Sequence, residues 1–200
     1  MLVIGLTGPS GAGKGEVSDL FASFRIPVMD ADKIYHQMLI PPSDCLSEIA
    51  RHFGPGILLP DGSLDRKKLA SIVFSDRAEL DELNRITHAF VMRTIRRRLE
   101  YYKNDGVRAV VLDAPQLFEA GADKDCNILV SVLANKEDRI RRIVSRDGIT
   151  REEAELRLSS QKSDAFFRAN SDYVIENNGK LEELLPAVKK ILTETGALPL

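Results

Sequence analysis

Runs of apolar residues alternate with amphipathic segments along the chain and predict a parallel sheet covered by helices. Five short segments are rich in Val, Ile and Leu, as expected for strands buried on both faces of a sheet. They begin at Leu2, Ile26, Val107, Asn127 and Asp172. The segments between them carry apolar residues at helical spacing. This alternation indicates the α/β class, with a five-stranded parallel sheet.

Two helical segments interrupt the alternation. The chain from about Pro41 to Asp105 contains no convincing strand, and the last helix in it is predicted from roughly Arg77 to Lys103. Residues 138–169 separate the fourth and fifth strands and predict two helices, the second ending near Lys162. The pattern therefore divides the chain into a core and two insertions. The core is 1–32, 106–137 and 170–200, and the insertions are 33–105 and 138–169.

Composition and charge narrow the class of ligand. The 28 basic and 30 acidic residues give a net charge of −2, which provides no general field for nucleic acid or an anionic membrane. Phosphate ligands would therefore need local cations. No apolar run approaches the ~20 residues of a membrane span. Cys45 and Cys126 lie far apart without metal-ligand spacing, so we expect reduced thiols and a cytoplasmic protein.

The first strand leads directly into a glycine-rich turn that ends in a lysine. Gly8, Gly13 and Lys14 match the phosphate-binding loop G-x-x-x-x-G-K-[ST], in which backbone N–H groups surround phosphate oxygens and the lysine reaches the outer phosphates. A helix is expected to follow and to point its positive N-terminus at the anion. We therefore predict that ATP phosphates bind to six successive residues. These are Gly11, Ala12, Gly13, Lys14, Gly15 and Glu16.

The loop departs from the pattern at its last position. Gly15 stands where a Ser or Thr hydroxyl normally meets magnesium, and Glu16 follows it. Because Mg²⁺ keeps several waters and also binds the substrate phosphates, we still expect a nucleotide with Mg²⁺. The segment 11–15 locally resembles nucleoside monophosphate kinases of the adenylate kinase type, which also have glycine after the lysine. A glycine turn with a surface lysine is the alternative.

Two of the predicted strands end in aspartates. The second strand is predicted from Ile26 to Asp32 and delivers Asp30 and Asp32, and the third ends at Asp113, which resembles a Walker B element. Because ligands lie beyond the carboxyl ends of parallel strands, these carboxylates are expected to face the same crevice as Lys14. At least one of the first pair is predicted to be catalytic, and Asp113 to reach Mg²⁺ through water. A helix cap is the alternative.

The segment 138–169 is rich in arginine near the expected ligand edge. In small-molecule kinases of this architecture, a helical flap here closes over the nucleotide, and its arginines neutralise the phosphoryl group in transfer. Arg142 and Arg146 lie four residues apart on one helical face and are candidates for this role. Arg139 and Arg141 are expected to be solvated.

One motif favours a different class of protein. Residues 135–138 read Asn-Lys-Glu-Asp and match the N-K-x-D element of GTPases. We reject this class because Gly15 removes a required hydroxyl, residues 113–116 do not form D-x-x-G, and no switch threonine is found. The alternative is a capping box with Asn135 as N-cap and Asp138 near N3.

Motifs along nearly the whole chain resemble those of dephospho-coenzyme A kinases. Each is weak alone, but their order is specific. They are Gly5–Gly8, Asp30–Asp32, His52–Gly54, Asp61–Arg66, Ile72–Phe74, Asn84–His88, Leu117–Glu119, Arg142 with Arg146–Gly148, Gln161 and Asn177–Gly179. The chain departs from the usual residues at Gly15-Glu16, Ala89 and Gln116.

The resemblance implies a three-layer P-loop kinase fold and a reaction, the last step of coenzyme A synthesis. ATP would phosphorylate the ribose 3′-hydroxyl of dephospho-coenzyme A. Residues 33–105 would be a helical substrate domain, 138–169 a helical lid, and the remainder the nucleotide-binding core. The implied catalytic residues are Asp32 as base, Lys14 and Arg142.

Further residues receive roles from the same resemblance. Arg146 and Asn178 would bind the nucleotide, Asp30 and His88 the substrate, and Asp30 with Asp113 would hold Mg²⁺ through water. A half-buried structural histidine is an equal alternative at His88. Another small-molecule P-loop kinase of the nucleoside monophosphate kinase type and a non-catalytic nucleotide-binding regulator remain alternative functions. The oligomeric state is left open.

Overall fold

The computed structural model describes residues 1–198, except the side chain of Leu181. One parallel sheet contains five strands in the order β2-β3-β1-β4-β5, which confirms the predicted sheet. The last two residues of the predicted core segment 170–200 lie outside the described residues. The strands are β1 (Leu2–Thr7), β2 (Val28–Asp30), β3 (Ala109–Asp113), β4 (Ile128–Leu133) and β5 (Tyr173–Glu176).

The helices alternate with these strands and also form the predicted insertions. In chain order they are α1 (Lys14–Ser23), α2 (Ala31–Met38), α3 (Asp44–Phe53), α4 (Arg66–Ser75), α5 (Arg77–Asn104), α6 (Lys136–Asp147), α7 (Arg151–Ser159), α8 (Asp164–Ala169) and α9 (Leu184–Glu194). Within the described part of the chain, none of them is long and apolar enough to cross a membrane.

The first of two compact units contains the sheet. It comprises Met1–Asp30 together with the chain from Tyr101 onward. The apolar faces of α1 and α9 pack with side chains of the sheet, and Phe21, Val188 and Leu192 are buried there. All five residues of β3 are buried, so this strand has no polar face. This burial explains why its sequence is a continuous apolar run.

The second unit comprises Ala31–Glu100 and contains α2 to α5. Its core includes Ile49, Ile57, Leu69 and Ile86. The predicted insertion, 33–105, covers most of this unit but begins and ends slightly later. The assignment of residues 33–105 as a substrate domain stays a prediction. Helix α5 begins at Arg77 and ends at Asn104, which confirms the helix predicted from Arg77 to Lys103.

The second strand is shorter than predicted. It ends at Asp30, and α2 begins with the next residue, Ala31. Ile34 lies at helical spacing from that start and is buried, which favours helix over continued strand. Asp32 is therefore an exposed residue of the first helical turn, and the prediction that it ends the strand is wrong. Asp30 remains at the strand end, in register with Asp113 of β3.

Two helix starts also differ from the sequence prediction. The side chain of Asn135 makes no capping hydrogen bond to α6, so the predicted capping box there is wrong. A capping box instead joins Thr150 and Glu153 at the start of α7. The predicted helix to about Lys162 ends earlier, and the short helix α8 follows, capped by Ser163. A six-residue helix gives too short a period to recognise from the sequence.

The turn after β1 generates a prediction about stability. A Cβ added at Gly8 would overlap the backbone carbonyl oxygen of Val132 in β4, and the φ of Gly8 is 151°. Because the backbone would have to move, Gly8→Ala should lower the free energy of unfolding by about 2 kcal/mol or more. Urea unfolding followed by circular dichroism measures this loss.

Gly15→Ala is the matched control. Gly15 lies in α1, and a Cβ added there meets nothing within 4 Å. Because alanine favours helix over glycine by up to ~1 kcal/mol, this variant should be at least as stable as the unmodified chain. Equal losses in the two variants would contradict the steric explanation for Gly8.

Candidate active site

The glycine-rich loop joins β1 to α1, and its lysine is the first residue of the helix. Gly13 precedes α1 in the left-handed region, with a φ of 89°, and no side chain caps the helix. The N–H groups of Lys14, Gly15 and Glu16 lie in the first turn, where a helix offers them no acceptor. Together with the helix dipole, such donors form a site suited to phosphate oxygens.

Lys14 and Asp113 form an ion pair beside this loop. The ammonium group donates a hydrogen bond to Oδ1 of Asp113, which is 5% exposed at the end of β3. Burial raises the pKa of Asp113, while the charge and hydrogen bond of Lys14 and a hydrogen bond from Ser18 oppose the rise. The nearby Asp30 carboxylate raises this pKa further. Lys14, Asp30 and Asp113 are thus brought together at one edge of the sheet.

Arg142 and Asn177 bind the carbonyl side of the same loop. Arg142 Nη1 lies 3.2 Å from the carbonyl oxygen of Gly11 and 3.3 Å from that of Ala12, and Nη2 donates to the carbonyl of Asn177 at 3.0 Å. Asn177 follows β5 and is 2% exposed. Its Nδ2 donates to the Ala12 carbonyl and to Glu16 Oε2, each at 2.9 Å. The predicted contact between Arg142 and phosphates stays a prediction.

Ser10 of the loop is held by the segment 138–169 through three polar groups. Its N–H donates to Gln161 Oε1 at 3.0 Å, and its Oγ accepts from Gln161 Nε2 at 2.9 Å. Arg139 Nε donates to its carbonyl oxygen at 3.1 Å. Arg139 is 6% exposed and also pairs with Asp164 at 3.0 Å. The expectation that Arg139 is solvated is therefore wrong.

Other residues of this unit lie in simpler surroundings. Arg141 is exposed and pairs with Asp138, as expected for a solvated helix residue. Arg146 is exposed and pairs with Asp147. Asn178 Oδ1 accepts a hydrogen bond from the N–H of Asn135 at 2.7 Å, which joins the loops after β4 and β5. The predicted nucleotide contacts of Arg146 and Asn178 stay predictions.

Two predicted site residues, Asp32 and His88, belong to the unit Ala31–Glu100. Asp32 is exposed in α2, and His88 is half-buried in α5. Their roles as base and substrate contact stay predictions. Among the described residues, no group of three or more His, Cys, Asp or Glu side chains is arranged to hold a metal. The Mg²⁺ prediction continues to rest on Asp30 and Asp113.

Sequence reasoning missed Ser10 of the loop and two residues that position the loop, Arg139 and Asn177. Ser10 and Arg139 carry no local signal, because their partners lie far along the chain. Asn177 did carry one, since it directly follows an apolar strand at the edge where ligands are expected. The rule that selected Asp30 and Asp113 would have selected Asn177 if it had been applied to amides as well as to carboxylates.

The chain is similar to known proteins over nearly its whole length. The CoaE family model, described as dephospho-CoA kinase, matches residues 2–183. A dephospho-CoA kinase of Corynebacterium glutamicum is 37% identical over 194 residues, which cover 97% of both chains. TT1252 from Thermus thermophilus superposes with a TM-score of 0.82 at 34% identity, covering 96% of this chain and 97% of that chain. The dephospho-CoA kinase from Campylobacter jejuni gives a TM-score of 0.72 at 25% identity, covering 96% of both chains.

The Lys14–Asp113 pair generates a prediction about pH. A carboxyl whose folded pKa is raised keeps its proton longer in the folded state, so its contribution to stability is full below its unfolded pKa and is lost as pH rises through the folded pKa. Removing Lys14 takes away a cation that opposes the rise. Lys14→Met should therefore unfold more easily at pH 7 by about 3 kcal/mol, with a steeper loss of stability between roughly pH 4 and pH 7.

Urea unfolding across that pH range tests the expectation. The control is Lys14→Met combined with Asp113→Asn, in which no carboxylate is left without its cation. This double variant should recover most of the lost stability at pH 7 and lose the steep pH dependence. A double variant as unstable as Lys14→Met would show that Asp113 is not the responsible group.

Proposed function

Since the chain belongs to the dephospho-CoA kinase family, we propose that it uses ATP to phosphorylate the ribose 3′-hydroxyl of dephospho-coenzyme A, which yields coenzyme A and ADP. The supporting observation is the phosphate-binding loop at the start of α1, in a chain that matches the family over residues 2–183. A loop of this kind serves many kinases, so the acceptor substrate is inferred from the family and not from the loop.

The loop and Lys14 would bind the phosphates of ATP. The N–H groups from Gly11 to Glu16 supply donors to phosphate oxygens. Because an ammonium group has three N–H donors, Lys14 can keep its bond to Asp113 and still donate to the β- and γ-phosphates. Arg142, which lies against the loop, would add positive charge there. Arg146 and Asn178 complete the proposed nucleotide contacts.

Mg²⁺ is the proposed metal, and when bound it would neutralise phosphate charge. Asp30 and Asp113 offer the oxygen ligands that Mg²⁺ prefers, and we propose that they act through bound water. Gly15 provides no hydroxyl, but the space that a side chain would occupy there is open to 4 Å. Water can therefore stand where the hydroxyl of other phosphate-binding loops lies.

Asp32 is the proposed base for the ribose hydroxyl, and Asp30 and His88 are the proposed substrate contacts. A carboxylate is a weak base for an alcohol. Phosphoryl transfer tolerates this weakness because its transition state is loose. The bond between the nucleophile and phosphorus is little formed at that point, so the proton can leave late. Asp32 would therefore act mainly by orienting the hydroxyl oxygen.

We also propose a separate role for each of the two insertions. Residues 33–105 would bind dephospho-coenzyme A, and residues 138–169 would act as a lid that excludes water, since water would otherwise compete as the phosphoryl acceptor. The cytoplasm is the proposed compartment, in keeping with the free thiols of Cys45 and Cys126.

The proposed function predicts a strong preference for one acceptor. ADP release should proceed with dephospho-coenzyme A at a kcat/KM at least ~100-fold above that with AMP, CMP or shikimate, because a site that hydrogen-bonds its acceptor rejects analogues without matching groups. A coupled assay of ADP formation measures all four. Preference for AMP or CMP would indicate a nucleoside monophosphate kinase, and ATP binding without turnover on any acceptor would indicate a regulator.

The proposed role of Asp32 as base predicts that asparagine substitutions at Asp32 and Asp30 lower the activity by different amounts. Asp32→Asn should lower kcat at least ~100-fold, the lower end of general-base assistance, and leave the Kd for ATP unchanged. Asp32 is exposed, so the variant should fold normally. Steady-state kinetics and calorimetric titration with ATP measure the two quantities.

Asp30→Asn is the paired control for Asp32→Asn. It should cost less activity, and added Mg²⁺ should relieve part of the loss, because its proposed role includes metal-bound water. A nearly normal kcat in Asp32→Asn together with an inactive Asp30→Asn would reverse the two roles.

A further inference from the structure

Asn177 occupies an unusual position among the residues around the phosphate-binding loop. It directly follows β5, it is 2% exposed, and its side-chain amide reaches two residues of the loop and helix start. Nδ2 donates to the carbonyl oxygen of Ala12 and to Oε2 of Glu16, both at 2.9 Å. Both hydrogens of the amide are therefore used, one on the loop and one on the first turn of α1.

The bond to Ala12 fixes the direction of a peptide unit. In a trans peptide, the carbonyl and the N–H of the next residue point in opposite directions. Because Asn177 and Arg142 both donate to the Ala12 carbonyl, the N–H of Gly13 is directed away from these two side chains. A side chain at Gly13 would overlap the Asn177 amide, so the approach requires glycine there.

The bond to Glu16 orients an exposed carboxylate. Glu16 lies in the first turn of α1, where a negative charge is stabilised by the helix dipole but would repel phosphate. The hydrogen bond keeps one carboxylate oxygen against Asn177, on the side of the loop where the Ala12 carbonyl is also held. Loss of the amide would free both the carboxylate and the carbonyl.

We infer that Asn177 is a positioning residue of the nucleotide site, which keeps the phosphate-binding loop in its anion-binding conformation by holding Ala12 and Glu16 at once. This inference rests on the proposed function only in that the loop binds ATP, and it deepens that proposal by adding a residue outside the loop. It predicts that changes at Asn177 act on ATP affinity more than on the acceptor substrate or on the maximal rate.

Asn177→Asp is the decisive variant, because it keeps the size of the side chain and removes both donors. The new carboxylate would also face the Glu16 carboxylate and the Ala12 carbonyl. The Kd for ATP, titrated alone into the full-length chain by calorimetry at 15 °C, should rise by roughly tenfold or more. The KM for ATP should rise in parallel, and the KM for dephospho-coenzyme A and the kcat at saturating ATP should change by less than about threefold.

A second substitution tests the Asn177–Glu16 pairing itself. In Asn177→Asp with Glu16→Gln, the amide is moved to the other partner, so that one donor again faces one acceptor and the repulsion between carboxylates is removed. This double variant should recover at least ~threefold of the lost ATP affinity. Asn127→Asp is the matched control. Asn127 Oδ1 accepts from the N–H of Val3, at the start of β1, and aspartate keeps that acceptor, so its Kd for ATP should stay within about twofold of the unmodified chain.

The outcomes separate the inference from the proposed function. An Asn177→Asp variant with a lower melting temperature and a normal Kd for ATP would overturn the inference and leave the function intact, as would a double variant no better than the single one. An unmodified chain that binds no ATP would overturn the proposed function itself. Should Asn177→Asp fail to fold, Asn177→Ser, which keeps one donor, takes its place with the same expected direction.

Discussion

A loop that binds anions through its backbone N–H groups must have its carbonyl oxygens hydrogen-bonded elsewhere, and this constraint organises the structure around the first strand. Every carbonyl from Pro9 to Gly13 has a donor. Two donors are local, the N–H of Ala12 to Pro9 and the N–H of Val17 to Gly13. The others come from distant side chains, which are Arg139 to Ser10, Arg142 to Gly11 and Ala12, and Asn177 to Ala12. The segment α6 and the loop after β5 therefore act as parts of the loop's support.

The same arrangement concentrates positive charge where the chain as a whole has none. The net charge is −2, yet Lys14, Arg139 and Arg142 all contact the loop or its flanking carboxylate. Asp113 and Asp164 partly compensate two of these cations. Because a buried cation without a partner would be costly, such pairing lets the protein hold a phosphate-binding site together before any phosphate is bound.

The sequence was sufficient to predict a feature where its signal lies in neighbouring residues, and insufficient where the feature depends on distant contacts. The buried strands, the loop with Lys14 and the end of β3 at Asp113 follow from short patterns, and α5 follows from its long period. Asn177 and Arg139 reach the loop from 165 and 129 residues away, and no local rule reports such contacts. At Asp32 two local signals competed, and the helical spacing of Ile34 prevailed over the apolar run before it.

The hydrogen bond between the Ser10 amide and Gln161 offers a way to observe motion near the loop. The amide proton of Ser10 is covered by Gln161 Oε1, which lies just beyond α7. Isotope exchange at that amide requires this hydrogen bond to open, so the exchange rate of the Ser10 amide reports how often the Gln161 side chain leaves it. One backbone amide proton therefore measures the stability of the contact between Ser10 and Gln161, with no label or probe attached.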